Sequence, residues 1–153
     1  MAQHPPHGYW LVGRNRVVIL LGTPTPDERG TVLIQSWGNA GDGAPLHRHR
    51  DVETFVVTKG RLRFWVAGTM TECGPQESAT VPSGADHTYV VLEPDSEWLM
   101  LLTDSAFDHF IAEGATPVID PSDPSESAEP PDPAIAAKYG QEILGPPPAE
   151  LRG

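Results

Sequence analysis

The sequence has few cysteines, few basic residues and no long apolar run. Its 153 residues include a single cysteine, Cys73, which excludes an internal disulfide framework. No apolar stretch approaches the roughly 20 residues that a membrane-spanning helix needs. The first ten residues, MAQHPPHGYW, lack the basic and apolar regions of a secretory signal peptide. We therefore expect one cytoplasmic domain that does not enter a membrane.

The scarce basic residues are also unevenly placed. Ten lysines and arginines face 21 aspartates and glutamates, which gives a net charge of -11. Residues 93–132 hold eleven of the acids and no lysine or arginine, so acids and bases balance in the rest of the chain. Nucleic-acid affinity depends on basic patches, and we expect no nucleic-acid partner. The acidic segment is predicted to be a solvated surface.

Proline and glycine are abundant, and they separate short segments of alternating polarity. The chain has 17 prolines and 15 glycines, which favour turns between short elements. Strands are predicted at residues 9–12, 16–21, 31–37, 61–67, 77–81, 87–92 and 98–103, with two more within 41–59. A brief helix is predicted at 106–113. Strands at this regular spacing predict an all-β sandwich or barrel.

One short segment carries side chains that suit a metal ion. Residues 41–60 read GDGAPLHRHRDVETFVVTKG. On a strand, His47, His49 and Glu53 share parity and point to the same face. A third histidine, His87, follows in the segment VPSGADHTYV. Imidazole and carboxylate groups bind borderline divalent metals, so these four residues are candidate metal ligands.

The spacing in this segment resembles the first motif of the cupin superfamily. That motif runs glycine, five residues, His-x-His, three or four residues, glutamate, six residues and glycine. The chain matches it without a gap, through Gly41, His47, His49, Glu53 and Gly60.

The second cupin motif is matched in part. It runs glycine, five residues, Pro-x-Gly, two residues, histidine, three residues and asparagine. Pro82, Gly84 and His87 fit. Gln76 stands in place of the first glycine, and Val91 stands in place of the asparagine. These departures affect turns and a strand end rather than the candidate ligands.

The chain therefore resembles single-domain cupins, in particular the quercetin 2,3-dioxygenase-like group. The resemblance implies a single jelly-roll β-barrel, or double-stranded β-helix, over residues 9–116. An N-terminal tail of residues 1–8 would precede it. Residues 117–153 would form a Pro-rich, acidic tail that ends in a short helix, with Asp132 as N-cap and Gly140 at its end.

The resemblance also implies a chemistry. His47, His49, Glu53 and His87 would bind one divalent ion, which is Ni, Mn, Fe, Co, Cu or Zn. In quercetin 2,3-dioxygenases the metal holds a flavonol through its deprotonated hydroxyl, the glutamate accepts that proton, and dioxygen splits the ring. Glu53 would then be both ligand and base, or a ligand only. The alternatives are a cyclase or isomerase of a polyketide-like substrate, and a non-catalytic binding or sensing cupin.

A mostly apolar pocket is expected beside the metal. The residues predicted to line it are Phe55, Val57, Tyr89, Trp37 and Leu101, with Asp86 and Gln35 as polar candidates. An aromatic or enol-bearing small molecule suits such a pocket better than a sugar does. The apolar residues of the tail are expected to cover the pocket mouth, to pack on the barrel or to contact a second subunit. We expect a homodimer with two-fold symmetry.

Overall fold

The computed structural model describes residues 10–120, 123 and 125–152. Tyr9 and the predicted tail of residues 1–8 lie outside the described residues. The strands are β1 (Trp10–Val12), β2 (Asn15–Leu21), β3 (Gly30–Gly38), β4 (Leu46–Arg48), β5 (Val52–Lys59), β6 (Leu62–Val66), β7 (Thr69–Cys73), β8 (Ser78–Val81), β9 (His87–Val91), β10 (Ser96–Ser105), β11 (Thr116–Pro117) and β12 (Glu142–Gly145). The helices are α1 (Phe107–Gly114) and α2 (Pro133–Lys138), and a 3-10 turn spans Ala149–Leu151.

The strands form two antiparallel sheets with the core between them. The larger sheet has the order β11-β1-β2-β3-β10-β5-β8, and the smaller has the order β12-β4-β9-β6-β7. This all-β, jelly-roll arrangement confirms the predicted fold class. Neither α1 nor α2 is long and apolar enough to cross a membrane.

Side chains on the inner faces lie in layers across the barrel. Glu53 on β5 is paired with Leu102 on β10 and with Val81 on β8. On the facing sheet, His87 on β9 is paired with His47 on β4. These pairs form one layer, and strand alternation places the next inward residue of each strand in the layer behind it.

Alternation in β3 and β10 corrects part of the predicted pocket. The inward residues of β10 are Trp98, Met100 and Leu102, each at most 6% exposed. Leu101 lies between them on the outer face and is 40% exposed. Trp37 is half-buried on the outer face of β3, where Ser36 is the buried neighbour. The prediction that Leu101 and Trp37 face the barrel interior is wrong, because their strands present the opposite parity to the core.

Two positions of the cupin-like motifs lie in turns with a left-handed backbone conformation. Gly60 has a φ of 80°, and a Cβ atom there would clash with the side chain of Ser96. Gln76, which stands where the second motif has a glycine, has a φ of 70°. The turn therefore keeps the left-handed conformation without the residue that tolerates it best.

The C-terminal segment packs on the barrel and adds a strand to it. Asp132 caps α2 by accepting a hydrogen bond from the backbone N–H of Ala134 at 2.9 Å. Helix α2 lies against α1, where the rings of Tyr139 and Phe110 are 6.4 Å apart. Strand β12 follows and pairs with β4, so that Ile143 lies opposite His47. The tail thus forms the sheet edge beside a candidate ligand.

Candidate metal centre

The two sheets bring the four candidate ligands to one end of the barrel. His47 lies in the middle of β4, and His49 follows directly after that strand. Glu53 is the second residue of β5, and His87 opens β9. The loop before β9 is tied to the first motif, because the backbone N–H of Gly84 donates to the carbonyl oxygen of His49 at 2.8 Å.

The four side chains point at one another. One ring nitrogen from each of His47, His49 and His87 lies within 4.8 Å of the other two. The Oε2 atom of Glu53 is 2.9 Å from Nε2 of His49 and 3.7 Å from Nε2 of His87. His49, Glu53 and His87 are at most 5% exposed, whereas His47 is half-buried. The cluster is therefore open on the His47 side.

Backbone carbonyls fix the orientation of all three imidazole rings. Nδ1 of His47 is 2.8 Å from the carbonyl oxygen of Pro45, and Nδ1 of His87 is 2.9 Å from that of Ala85. Nδ1 of His49 is 3.1 Å from the carbonyl oxygen of Asp51. A carbonyl can only accept, so each Nδ1 carries the proton and donates it. Each Nε2 is left facing the cluster, with a lone pair that is available when the ring is neutral.

The charges in the cluster are strongly coupled. Burial, and then the charge of the nearby His87 ring, lower the pKa of His47 to about 4. Burial also disfavours charge on His49, but the hydrogen bond to Glu53 outweighs it and raises the pKa of His49 above its ordinary value. Burial disfavours charge on Glu53 as well, yet the hydrogen bond from His49 and the nearby ring of His87, 3.7 Å away, hold the pKa of Glu53 well below its usual range. Glu53 is therefore an anion at neutral pH.

The cluster fits a divalent transition metal. Two nitrogens that bind one ion at about 2.1 Å each are at most about 4.2 Å apart, so the rings need only a small inward shift. Nε2 of His87 is buried and has no hydrogen-bond partner within the described part of the chain, although buried polar atoms are normally paired. A metal bound by His47, His49, His87 and Glu53 would supply that partner. Imidazole ligands admit several metals, so the geometry leaves the choice of ion open.

The predicted pocket residues lie at different depths. Phe55 and Tyr89 form the layer behind the ligands, with ring centroids 5.6 Å apart. The Tyr89 hydroxyl accepts a hydrogen bond from Nδ2 of Asn15 at 2.5 Å. Val57 lies one layer further from the ligands and is fully buried. Phe55 and Tyr89 are thus placed to form the floor of a site, whereas Val57 packs in the core.

The polar candidates lie outside the cluster. Gln35 is on the outer face of β3, where its side chain donates to the carbonyl oxygen of Trp98 at 3.3 Å. Asp86 forms an ion pair with Arg48 at 2.9 Å. Strand alternation places Arg48 on the opposite face of β4 from His47. The prediction that Gln35 lies near the pocket is wrong for the same reason as that for Trp37.

Two residues close to the cluster, Arg29 and Asp51, were not predicted to lie there. Ile143 is one of the apolar tail residues that were expected to cover the pocket mouth or to pack on the barrel, and it lies opposite His47. Asp51 lies inside the first motif and is 1% exposed, so its position between two ligands was a usable signal. Arg29 is distant in sequence, and no local pattern marks it.

Comparisons with known proteins agree with this architecture. Residues 39–102 match the family model described as Cupin domain. No curated protein sequence matches the chain. The structure of KdgF from Halomonas sp. has a TM-score of 0.59 at 21% identity, covering 67% of this chain and 91% of that chain. An RmlC-like cupin from Shewanella frigidimarina NCIMB 400 also has a TM-score of 0.59, at 16% identity, covering 71% of this chain and 93% of that chain.

A third likeness is to part of a larger protein. A variant of oxalate decarboxylase from Bacillus subtilis has a TM-score of 0.54 at 19% identity, covering 65% of this chain and 27% of that chain. At such identities the likenesses show the fold alone. The quercetin 2,3-dioxygenase-like group therefore stays a prediction. The jelly-roll sheets and the family match together show that residues 39–102 are similar to a cupin domain, and three histidines in this region are placed to bind a metal.

Proposed function

We propose that this protein is a metal-dependent enzyme, and specifically a dioxygenase that acts on an aromatic or enol-bearing small molecule such as a flavonol. The observation that carries the proposal is the convergence of three Nδ1-anchored imidazoles and one buried carboxylate on a point that is open beside His47. His47, His49, His87 and Glu53 would hold the ion. When bound, it would act as a Lewis acid toward an enolate oxygen and as a site for dioxygen.

Glu53 is the candidate base in this proposal. The hydrogen bond from Nε2 of His49, at 2.9 Å from Oε2, lowers the pKa of Glu53 and makes its carboxylate a poor proton acceptor. A metal at Nε2 of His49 would replace that hydrogen bond. Because a cation favours the charged form of a carboxylate that it binds, Glu53 would accept the hydroxyl proton of a bound enol only as its bond to the metal loosens.

The surroundings of the cluster support an apolar substrate. Phe55 and Tyr89 lie behind the ligands, and Leu102 and Val81 flank Glu53. On the open side, Ile143 of β12 is 39% exposed and lies opposite His47. A ligand that enters beside His47 would therefore meet apolar side chains, with the metal as the main polar group.

Metal analysis and oxygen uptake test this proposal. Purified protein is analysed for bound metal, then loaded in turn with each candidate ion and mixed with quercetin and other enols in an oxygen electrode. Uptake that is lost in His87→Gln and kept in His109→Gln would support a dioxygenase at this site. Conversion of an enol without oxygen uptake would indicate a cyclase or isomerase instead. Binding without conversion would indicate a sensing or binding protein.

A further inference from the structure

Asp51 is a buried acid beside the cluster that the proposed chemistry does not use. It is 1% exposed, and its Oδ1 atom accepts a hydrogen bond from Nη2 of Arg29 at 2.7 Å. Its second oxygen, Oδ2, is buried without a hydrogen-bond partner among the residues that the structure describes. A carboxylate is costly to bury even when it is paired, so this position calls for a functional explanation.

Asp51 contacts the ring of His49 at the atom that faces away from the cluster. The main-chain oxygen of Asp51 is 3.1 Å from Nδ1 of His49, and Oδ1 is 3.9 Å from the same nitrogen. A metal at Nε2 withdraws electrons from the ring and makes the Nδ1 proton more positive. Negative charge near Nδ1 therefore stabilises the metal-bound ring more than the free ring, and it strengthens Nε2 as a donor.

Arg29 holds this carboxylate in place. The Arg29 side chain is 23% exposed, and its Nε atom is also 3.4 Å from Oδ1 of Asp104. Arg29 directly precedes β3, in the larger sheet, whereas His49 directly follows β4 in the smaller sheet. Asp51 lies in the loop between β4 and β5, so the ion pair ties the start of β3 to that loop at the end of the barrel where the candidate ligands meet.

We propose that Arg29 and Asp51 form a positioning pair that orients His49 and strengthens its bond to a divalent metal. This inference rests on the proposed metal site. A purely structural ion pair would change the stability of the metal-free protein and leave metal affinity unchanged. A positioning pair changes metal affinity in a protein that remains folded.

The decisive variant is Asp51→Asn. It keeps the shape of the side chain and the main-chain carbonyl, removes the negative charge and replaces one acceptor oxygen with an NH2 group. We expect the dissociation constant for Co²⁺, measured by competition with a chelating dye, to rise roughly 10- to 100-fold. We also expect the visible absorption bands of the bound Co²⁺ to shift, because the donor strength of His49 changes. The matched control is Asp104→Asn, which removes the exposed partner of Arg29 and should change the constant by no more than about two-fold.

Arg29→Met provides an independent test, since Arg29 lies further from the ligands and its loss removes the partner from the same carboxylate. It should weaken Co²⁺ binding by a similar factor, and it serves alone if Asp51→Asn does not fold. The double variant should lose no more affinity than Asp51→Asn does, because both changes act on one pair. Wild-type affinity in either folded single variant, or additive losses in the double variant, would overturn the positioning pair. A wild-type protein that binds no Co²⁺ would overturn the metal site itself.

Discussion

The Oε2 atom of Glu53 lies 2.9 Å from Nε2 of His49, and both atoms face the point where the other two imidazoles converge. In the metal-free protein this contact is a hydrogen bond that favours the anion of Glu53 and the cation of His49. A divalent ion would replace the shared proton and bind both atoms. The same two residues would therefore form a buried ion pair without a metal and would both be ligands with one.

Glu53→Gln separates the two roles of the carboxylate. Glutamine keeps the shape and one oxygen ligand, but it cannot accept a proton. If Glu53 is ligand and base, the metal-loaded variant should lose roughly 10²- to 10⁴-fold in turnover of the substrate that the oxygen-uptake screen identifies. Metal content is measured in the same samples, and Glu97→Gln serves as a surface control. Full turnover with bound metal would leave Glu53 as a ligand only.

The metal-free protein should lose stability on acidification, with His47 as the cause in a defined window. The pKa of His47 falls from 6.5 in the unfolded chain to about 4 in the folded protein. Between these values the unfolded chain binds the proton and the folded protein does not, so the free energy of unfolding decreases as the pH falls from 6.5 toward 4. The slope is at most about 1.4 kcal/mol per pH unit, the value for one proton.

The other titrating groups of the cluster change the free energy of unfolding mainly outside the pH range assigned to His47. The raised pKa of His49 contributes stability that is fully present below pH 6.5 and is lost as the pH rises through its folded value. The lowered pKa of Glu53 contributes stability that begins to be lost only as the pH falls below about 4.5. Urea titrations of metal-free protein at pH 4.5 to 6.5 should therefore show a slope that His47→Gln reduces. An equal slope in wild type and variant would contradict this assignment.

The convergence of the candidate ligands was predictable from sequence because it depends on local spacing. His47, His49 and Glu53 share strand parity, and the Pro-x-Gly turn before His87 marks the strand that faces them. The burial of Phe55 and Tyr89 follows from the same parity. Fold class was predictable for a similar reason, since regular turns between short strands leave few other arrangements.

The remaining features depend on contacts between distant segments. Both faces of β3 carry apolar residues, Val32 and Ile34 on one side and Leu33 and Trp37 on the other. Alternation in that strand does not distinguish inside from outside, and the pocket prediction for Trp37 failed there. The prediction for Leu101 failed in β10, where Leu99 and Leu101 make the outer face apolar as well. The pairing of Arg29 with Asp51, and of Ile143 with the strand of His47, joins segments whose sequences carry no mutual signal.

The outer face of the larger sheet is the expected site of dimer formation. Leu21 and Leu101 are both paired with Leu33 in β3, which gives a row of leucines across three strands. Leu21 is 50% exposed and Leu101 is 40% exposed, and exposed apolar patches commonly mark interfaces. Leu101→Lys should convert a homodimer to a monomer in sedimentation experiments at micromolar concentration. Met70→Lys, on β7 of the other sheet, should leave the dimer intact, and a wild-type monomer would contradict the prediction.

The backbone of Gln76 is strained, and replacing this residue with glycine should increase the stability of the protein. Its φ of 70° lies in the left-handed region, which costs a residue with a Cβ atom roughly 1–2 kcal/mol. Its backbone N–H donates to the carbonyl oxygen of Val57 at 2.8 Å, so the turn is held in place, and its side chain is exposed. Gln76→Gly removes the strain but increases the entropy of the unfolded chain by an amount worth about 0.5–1 kcal/mol. The net gain should be about 0.5–1 kcal/mol, which corresponds to a rise of about 1–4 °C in Tm.

Gln76→Ala keeps the Cβ atom and is the matched control, which should show no such rise in thermal denaturation followed by circular dichroism. If alanine stabilised the protein as much as glycine, side-chain loss rather than backbone strain would be the cause.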